Sequence, residues 1–244
     1  MLSINSLKIF CLSVGLIFSL NSYAEMETIS IVPTAFYSYR DFEYSVGGAG
    51  GVQGAINSLG AGVTVIYQQF YLDIAGEENP RASEEETNNL LFTNTVDFDR
   101  RDLTLSFGYA INEAISTFIG YKYGKSTITA RPDSPFAGEE ISLTGDGVFI
   151  GAGGVWSVRD WGFISFSAAY AQLDSTYRDL TVDTVKGDAT GTSLSVKWKA
   201  PITENLFYDL SLIRHDYRYT DFDKIESDIS EQILSLRLGL AYRF

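Results

Sequence analysis

Cysteine is nearly absent from this chain. Cys11 is the only one in 244 residues, which excludes a disulfide framework and paired-thiol chemistry. Histidine is as scarce, with His215 alone, and no cysteine–histidine metal pattern is present. Cations are few: 18 Lys and Arg face 31 Asp and Glu, a formal net charge of −13. That balance argues against nucleic acid as a partner. Proline occurs five times and never builds a linker, so the chain reads as one domain. After the first 24 residues no run approaches the ~18 consecutive apolar residues of a membrane helix. A sustained helical period of 3.6 is also missing. There is no Ser/His/Asp spacing of a lipase and no Walker loop; "GGAGGVQG" (47–54) does not fit a dinucleotide fingerprint and reads as a flexible first loop.

Residues 1–24 read as a cleavable secretory signal. Lys8 precedes a short apolar run from Ile9 to Leu20, and Ser22 and Ala24 stand at the usual cleavage spacing. The run continues past Cys11, so that residue does not look like a lipid-attachment site. The expected mature domain is 25–244.

What the chain has in abundance is aromatics, 14% of residues, and alternation. "DLTLSFGYAI" sets Leu103, Leu105, Phe107, Tyr109 and Ile111 against Thr104, Ser106, Gly108 and Ala110. "TSLSVKWKA" and "NLFYDLSLI" repeat the pattern, although Phe207 and Ile213 fall on the polar parity of the latter. A period of two means strands with one apolar and one polar face. Short breaks at "INEAI", "VRDWG" and "PITEN" alternate with longer ones at "GEENPRASEEETNN", "ARPDSPFAGEE", "DSTYRDLTVDTVKGD" and "YTDFDKIESDIS". Short turns on one rim and long loops on the other are the sidedness of an outer-membrane barrel.

Counting gives strands near 28–46, 57–75, 97–111, 114–130, 143–157, 162–174, 188–200, 205–219 and 229–244, an odd number where an even one is required. Val63, Val65 and Tyr67 share one parity, but Phe70, Leu72 and Ile74 share the other. A tight turn at Gln68-Gln69 resolves both problems and gives ten strands, near 57–67 and 70–77 in that region. A β-bulge there instead would leave nine, or eight with the first segment outside the barrel. Pro33 predicts a bulge or strained seam in the first strand.

The fold class expected is all-β, an antiparallel up-and-down transmembrane β-barrel. The polar parity carries Lys122, Lys197, Lys199, Asp209, His215, Arg237 and Arg243, a set that a lumen can solvate. Lys122, Lys197, Lys199, Arg237 and Arg243 are expected to pair across the lumen with acids such as Asp209 and Asp102. Tyr and Trp recur near strand ends, as in interfacial girdles. The ending "LRLGLAYRF", with Leu238, Leu240, Tyr242 and terminal Phe244 on alternate positions, resembles the C-terminal signal of Gram-negative outer-membrane β-barrel proteins. The resemblance implies an outer-membrane location, contact with lipid and lipopolysaccharide, and recognition of the last strand by the barrel assembly machinery. It names no subfamily.

For activity the expectations are a non-enzymatic barrel, structural or a narrow passive channel, with no cofactor and no metal site. The alternatives are a loop-mediated binding protein or adhesin, and a hydrolase of omptin-like geometry with His215 at the rim. The last lacks the family's pattern, because Ile213 stands two residues before His215 where an Asp would be needed. Asp97 and Asp99 are its candidate carboxylate pair. Glu77, Glu78 and Glu84–Glu86 read as an acidic outer loop able to hold hard cations weakly, or simply as a solvated one.

Overall fold

Alternation does build strands here. The computed structural model describes residues 29–47, 51–79, 83–89, 92–130, 140–178, 184–222 and 228–244; the signal-peptide assignment lies outside them. Eleven antiparallel segments form one sheet: β1 (Ser30–Val46), β2 (Gly51–Tyr67), β3 (Phe70–Glu78), β4 (Ser83–Asn89), β5 (Phe92–Ala110), β6 (Ile115–Ala130), β7 (Glu140–Ser157), β8 (Phe163–Arg178), β9 (Val185–Pro201), β10 (Leu206–Thr220) and β11 (Ile229–Tyr242). β3 pairs with the lower half of β5 and β4 with its upper half. The two therefore make one stave, and the barrel has ten. It closes between β1 and β11, in register from Thr34↔Ala241 to Val46↔Ile229.

The turn expected at Gln68-Gln69 is present. Gln68 adopts φ 55°, and Tyr67 pairs directly with Phe70 across it. The other short connections lie at the same rim, around Asn112, Arg159–Trp161 and Thr203. Both described chain ends lie there too: the Phe244 amide donates to the Ile31 carbonyl at 3.0 Å. Pro33 makes no bulge, contrary to expectation. The β1–β2 register runs unbroken through Pro33↔Val63, and the proline falls just below the first pair of the closing seam. A missing N–H is tolerated at the end of a ladder.

Several segments read as loops belong to strands. Ser83–Asn89 is paired with Phe92–Phe98. β8 runs to Arg178, β9 starts at Val185, and β2 starts at Gly51 within the glycine-rich stretch. The physical reason is a change of surroundings along each stave. In the lower part the outward residues are apolar, as in Leu234, Leu236, Leu238, Leu240 and Tyr242 of β11 or Leu103, Leu105, Phe107 and Tyr109 of β5, all exposed. Higher up the outward positions are Asp41, Glu43, Arg101, Arg214, Asp216 and Gln232, and the apolar residues are inside.

One outward row runs against pairing preference. Asp146 stands directly opposite Asp174, and Asp174 directly opposite Asp188. Like charges facing across strands destabilise a sheet. An Asp174→Lys barrel should therefore be more stable by about 0.5–1 kcal/mol, read as a higher urea midpoint in lipid vesicles. A lower midpoint would contradict the repulsion.

Candidate functional site: the filled lumen

The inward parity that places polar residues in the barrel also places aromatics there, and each needs room. Phe36, Tyr71, Phe118, Phe149 and Tyr217 lie directly opposite Gly60, Gly108, Gly151, Gly120 and Gly191 respectively. In each case a Cβ on the glycine would come within 2.4 Å of the ring. The glycines on the lumen parity are thus flat seats for rings rather than flexible points.

The filling is layered. At the short-turn end Val32, Ile66, Tyr71, Ala110, Phe207 and Ala241 cluster, with Phe118 packed against them. At the long-loop end a larger apolar cluster includes Phe42, Ile56, Phe98, Leu173, Val185, Tyr219 and Ile233. Phe98 is fully buried and stacks on Phe42 with ring centroids 3.9 Å apart. Between the two lies a cavity of about 250 Å³.

Immediately under the upper cluster runs a chain of alternating charges. Arg237 Nη2 meets Glu77 Oε2 at 2.5 Å, and Glu77 also binds Arg40. Arg40 Nη1 reaches Asp102 Oδ2 at 2.6 Å, and Arg100 Nε reaches the same oxygen at 2.9 Å. Arg100 Nη1 binds Glu231 and donates to Ser126 Oγ at 2.8 Å. Glu231 further accepts from Tyr44, and from the Tyr219 hydroxyl at 2.6 Å. Three arginines against three carboxylates leave no net charge, and the chain crosses the lumen through β1, β3, β5 and β11. Arg237 also lies over the Phe36 ring, 4.1 Å from its centroid. A buried ion network of this kind holds its geometry because removing any one member strands another charge.

The sequence found part of this set. Arg237 and Asp102 were expected in the lumen and are there. Arg40, Arg100, Glu77 and Glu231 were missed. The available signal was runs of consecutive charges: Arg40 is followed by Asp41, and Arg100 lies between Asp99 and Arg101. Successive strand residues point to opposite faces, so one member of each run must point inward. Glu77 was assigned to an acidic outer loop; it is instead 6% exposed inside the barrel, while Glu78 faces outward and pairs with Arg101 at 3.1 Å. The acidic cluster is therefore divided between two faces, and the side chains of Glu84–Glu86 lie outside the described residues.

Other expected lumen residues take different roles. Lys122 Nζ donates to the Tyr217 hydroxyl at 2.7 Å rather than to a carboxylate. Asp209 stands directly opposite Lys199, and Lys197 lies between Ser165 and Ser211. Arg243 is not in the lumen network. It sits past β11 at the short-turn rim, where its guanidinium donates to the Glu204 carbonyl at 3.5 Å. His215 is not at the rim either. It lines the central cavity below the upper cluster, with Nδ1 2.6 Å from Ser193 Oγ. β10 ends where expected, but Tyr217 and Tyr219 of the buried upper cluster stand above His215 and place it in the interior. Asp97 and Asp99 lie on the outward-facing parity of β5, away from it.

The C-terminal residues stand as expected. Leu238, Leu240, Tyr242 and Phe244 all point outward, and the Tyr242 and Phe244 rings meet edge-on at 4.7 Å.

No family model and no curated protein matches the chain. Solved structures do. The outer membrane protease OmpT from Escherichia coli superposes with a TM-score of 0.61 at 11% identity, over 90% of this chain and 98% of that one. The translocator domain of the autotransporter NalP from Neisseria meningitidis does so with a TM-score of 0.52 at 12% identity, over 92% and 91%. One is a protease and the other a translocator, so these likenesses speak to architecture and not to activity. With the outward apolar band, the inward polar network and the closed ten-stave sheet, they give one conclusion: the chain folds as a closed antiparallel β-barrel of the architecture these outer-membrane proteins have.

Proposed function

We propose that this is a non-enzymatic barrel of the bacterial outer membrane whose lumen is filled, an envelope protein that does not conduct as an open pore. The observation that carries this reading is the lumen's layering: an apolar cluster at each end and a neutral chain of three arginines and three carboxylates below the upper one. A side-chain-filled interior is what a barrel near this size accommodates. Purified protein in planar bilayers should show no conductance steps, or only small ones. Large stable steps would overturn the filled-lumen reading.

Residence in the outer membrane belongs to the same proposal, with lipid and lipopolysaccharide around the band and the assembly machinery reading the last strand. Phe244 is 74% exposed and its ring meets that of Tyr242 edge-on, so its side chain buries little surface in the finished barrel. Deleting it should sharply lower the amount of barrel inserted in cells. Refolding of the purified chain into detergent should be unchanged. Equal losses in both settings would make Phe244 a stability residue and not a signal.

A further inference from the structure

We propose that the Lys197 corner of the central cavity binds a compact oxyanion, a carboxylate or a phosphate, admitted from the short-turn end. The proposal uses the same closed lumen as the preceding section, but it stands on different residues.

Register builds the site. Lys197 is directly opposite Ser165 on one side and Ser211 on the other, and one step higher Ser167 and Ser195 face each other. Cross-strand Cβ atoms lie about 4.5–5.5 Å apart, so serine hydroxyls flank the base of the Lys197 side chain on both sides. Ser167 and Ser195 satisfy one another at 2.7 Å. Ser211 does not: its side chain is 1% exposed, it lines the cavity, and its Oγ has no hydrogen-bond partner. A buried hydroxyl left unpaired carries a cost that a ligand relieves.

Lys197 makes no ion pair among the described residues, and three of the four acids lining the cavity, Asp73, Glu77 and Asp102, are otherwise engaged. Glu77 and Asp102 are held by arginines. Asp73 accepts from Thr64 Oγ1 at 2.6 Å, and Asp209 stands across from Lys199. An unpaired lysine and an unpartnered serine hydroxyl lining one cavity of about 250 Å³ are a donor set for a charge-assisted contact with a small oxyanion.

The two apolar clusters differ in a way that sets the direction of entry. The upper one draws on β1, β2 and every stave from β5 to β11, counting Ile128 of β6. The lower one draws on β1, β2, β3, β5, β6, β10 and β11 and has no member from β7, β8 or β9. On those three strands the floor is half-buried Phe163 and Lys199, directly beneath Ser165 and Lys197, with buried Val155 level with Ser165.

The test is titration calorimetry on the refolded barrel, with inorganic phosphate and, separately, acetate. At least one should bind saturably. The Lys197→Gln variant should bind about ten-fold more weakly or not at all, and Ser211→Ala should weaken binding to a lesser degree. Lys186→Gln, on the outward face of β9, should bind as the parent does. Phosphate alone, acetate alone or both would identify the oxyanion class. Entry is read from a Ser195→Cys variant, in which the cysteine replaces a cavity-lining serine. An anionic methanethiosulfonate should react faster than a cationic one, Lys197→Gln should abolish that preference, and Ser165→Phe should slow both. No saturable binding of either anion, or unchanged binding in Lys197→Gln with an intact barrel by circular dichroism, would overturn the proposal. Bilayer conductance leaves it standing or not independently, since an anion could occupy this corner in an open lumen as well as in a filled one.

Discussion

Replacing Arg100 with methionine should cost the folded barrel about 3–5 kcal/mol, the expected penalty for leaving a buried charge without its partner. Arg100 is 3% exposed and is the one guanidinium that touches both Asp102 and Glu231. Asp102 would keep Arg40. Glu231, itself 1% exposed, would keep only the hydroxyls of Tyr44 and Tyr219. The penalty therefore falls on Glu231, and a second change should recover much of it. The double variant Arg100→Met with Glu231→Gln retains an acceptor for the two tyrosines and removes the stranded charge. Urea unfolding in lipid vesicles, followed by tryptophan fluorescence, measures all three species. A double variant no more stable than Arg100→Met would place the cost in lost packing of the arginine stem and not in charge.

Phe98→Ala should be comparably severe and should change a second property as well. Phe98 is fully buried, stacked on Phe42 at 3.9 Å and tilted against Tyr44 at 6.0 Å. Truncating such a ring costs about 3–5 kcal/mol, including the cavity left behind. The void opens in the middle of the upper cluster, directly above the Arg100–Glu231 pair. Small conductance steps should then appear in bilayers where the parent shows none. Phe107 supplies the control on the same strand, because it points outward and is 49% exposed. Its alanine variant loses lipid contact without opening the lumen, so it should cost less and leave conductance unchanged. Equal behaviour of the two variants would mean that the upper cluster is not what closes the barrel.

The outward apolar band was legible in sequence, and so was the full length of β1, β6, β10 and β11; the upper parts of β2, β8 and β9, and β4 as a whole, were not. Leu236, Leu238, Leu240 and Tyr242 point outward as the alternation requires, and the two parities on either side of Gln68-Gln69 do mark a turn. The rule behind that inference, that a strand cannot move its apolar residues to the other face without an insertion, nevertheless fails elsewhere. In β11, Ile229 and Ile233 are buried inside while Leu234 and Leu236 are exposed outside, and the register with β10 is continuous throughout. β10 does the same, from Leu210 and Leu212 outside to Tyr217 and Tyr219 inside. What changes is the medium against the outer wall. At Gln68-Gln69 both strands lie in the apolar band, so a parity change there does need a turn. Near Leu234 the staves leave the band, and the pattern inverts without any backbone irregularity. That inversion hid β4, the upper ends of β2, β8 and β9, and four of the six members of the arginine–carboxylate chain.

The same inversion acts as a waterline. Below it the wall follows the logic of a membrane barrel, and above it that of a water-soluble one with its own apolar core. In the proposed membrane setting, moving the barrel up or down would wet Leu212 and Leu236 or bury Asp216 and Gln232, so the row of Arg214 and Leu234 between them fixes the depth of immersion. From Asp41 to Val46, at ~3.4 Å per residue and a tilt near 40°, the staves rise on the order of 10–15 Å past that border. In the proposed outer-membrane setting, the described strands thus end well clear of the lipid headgroups.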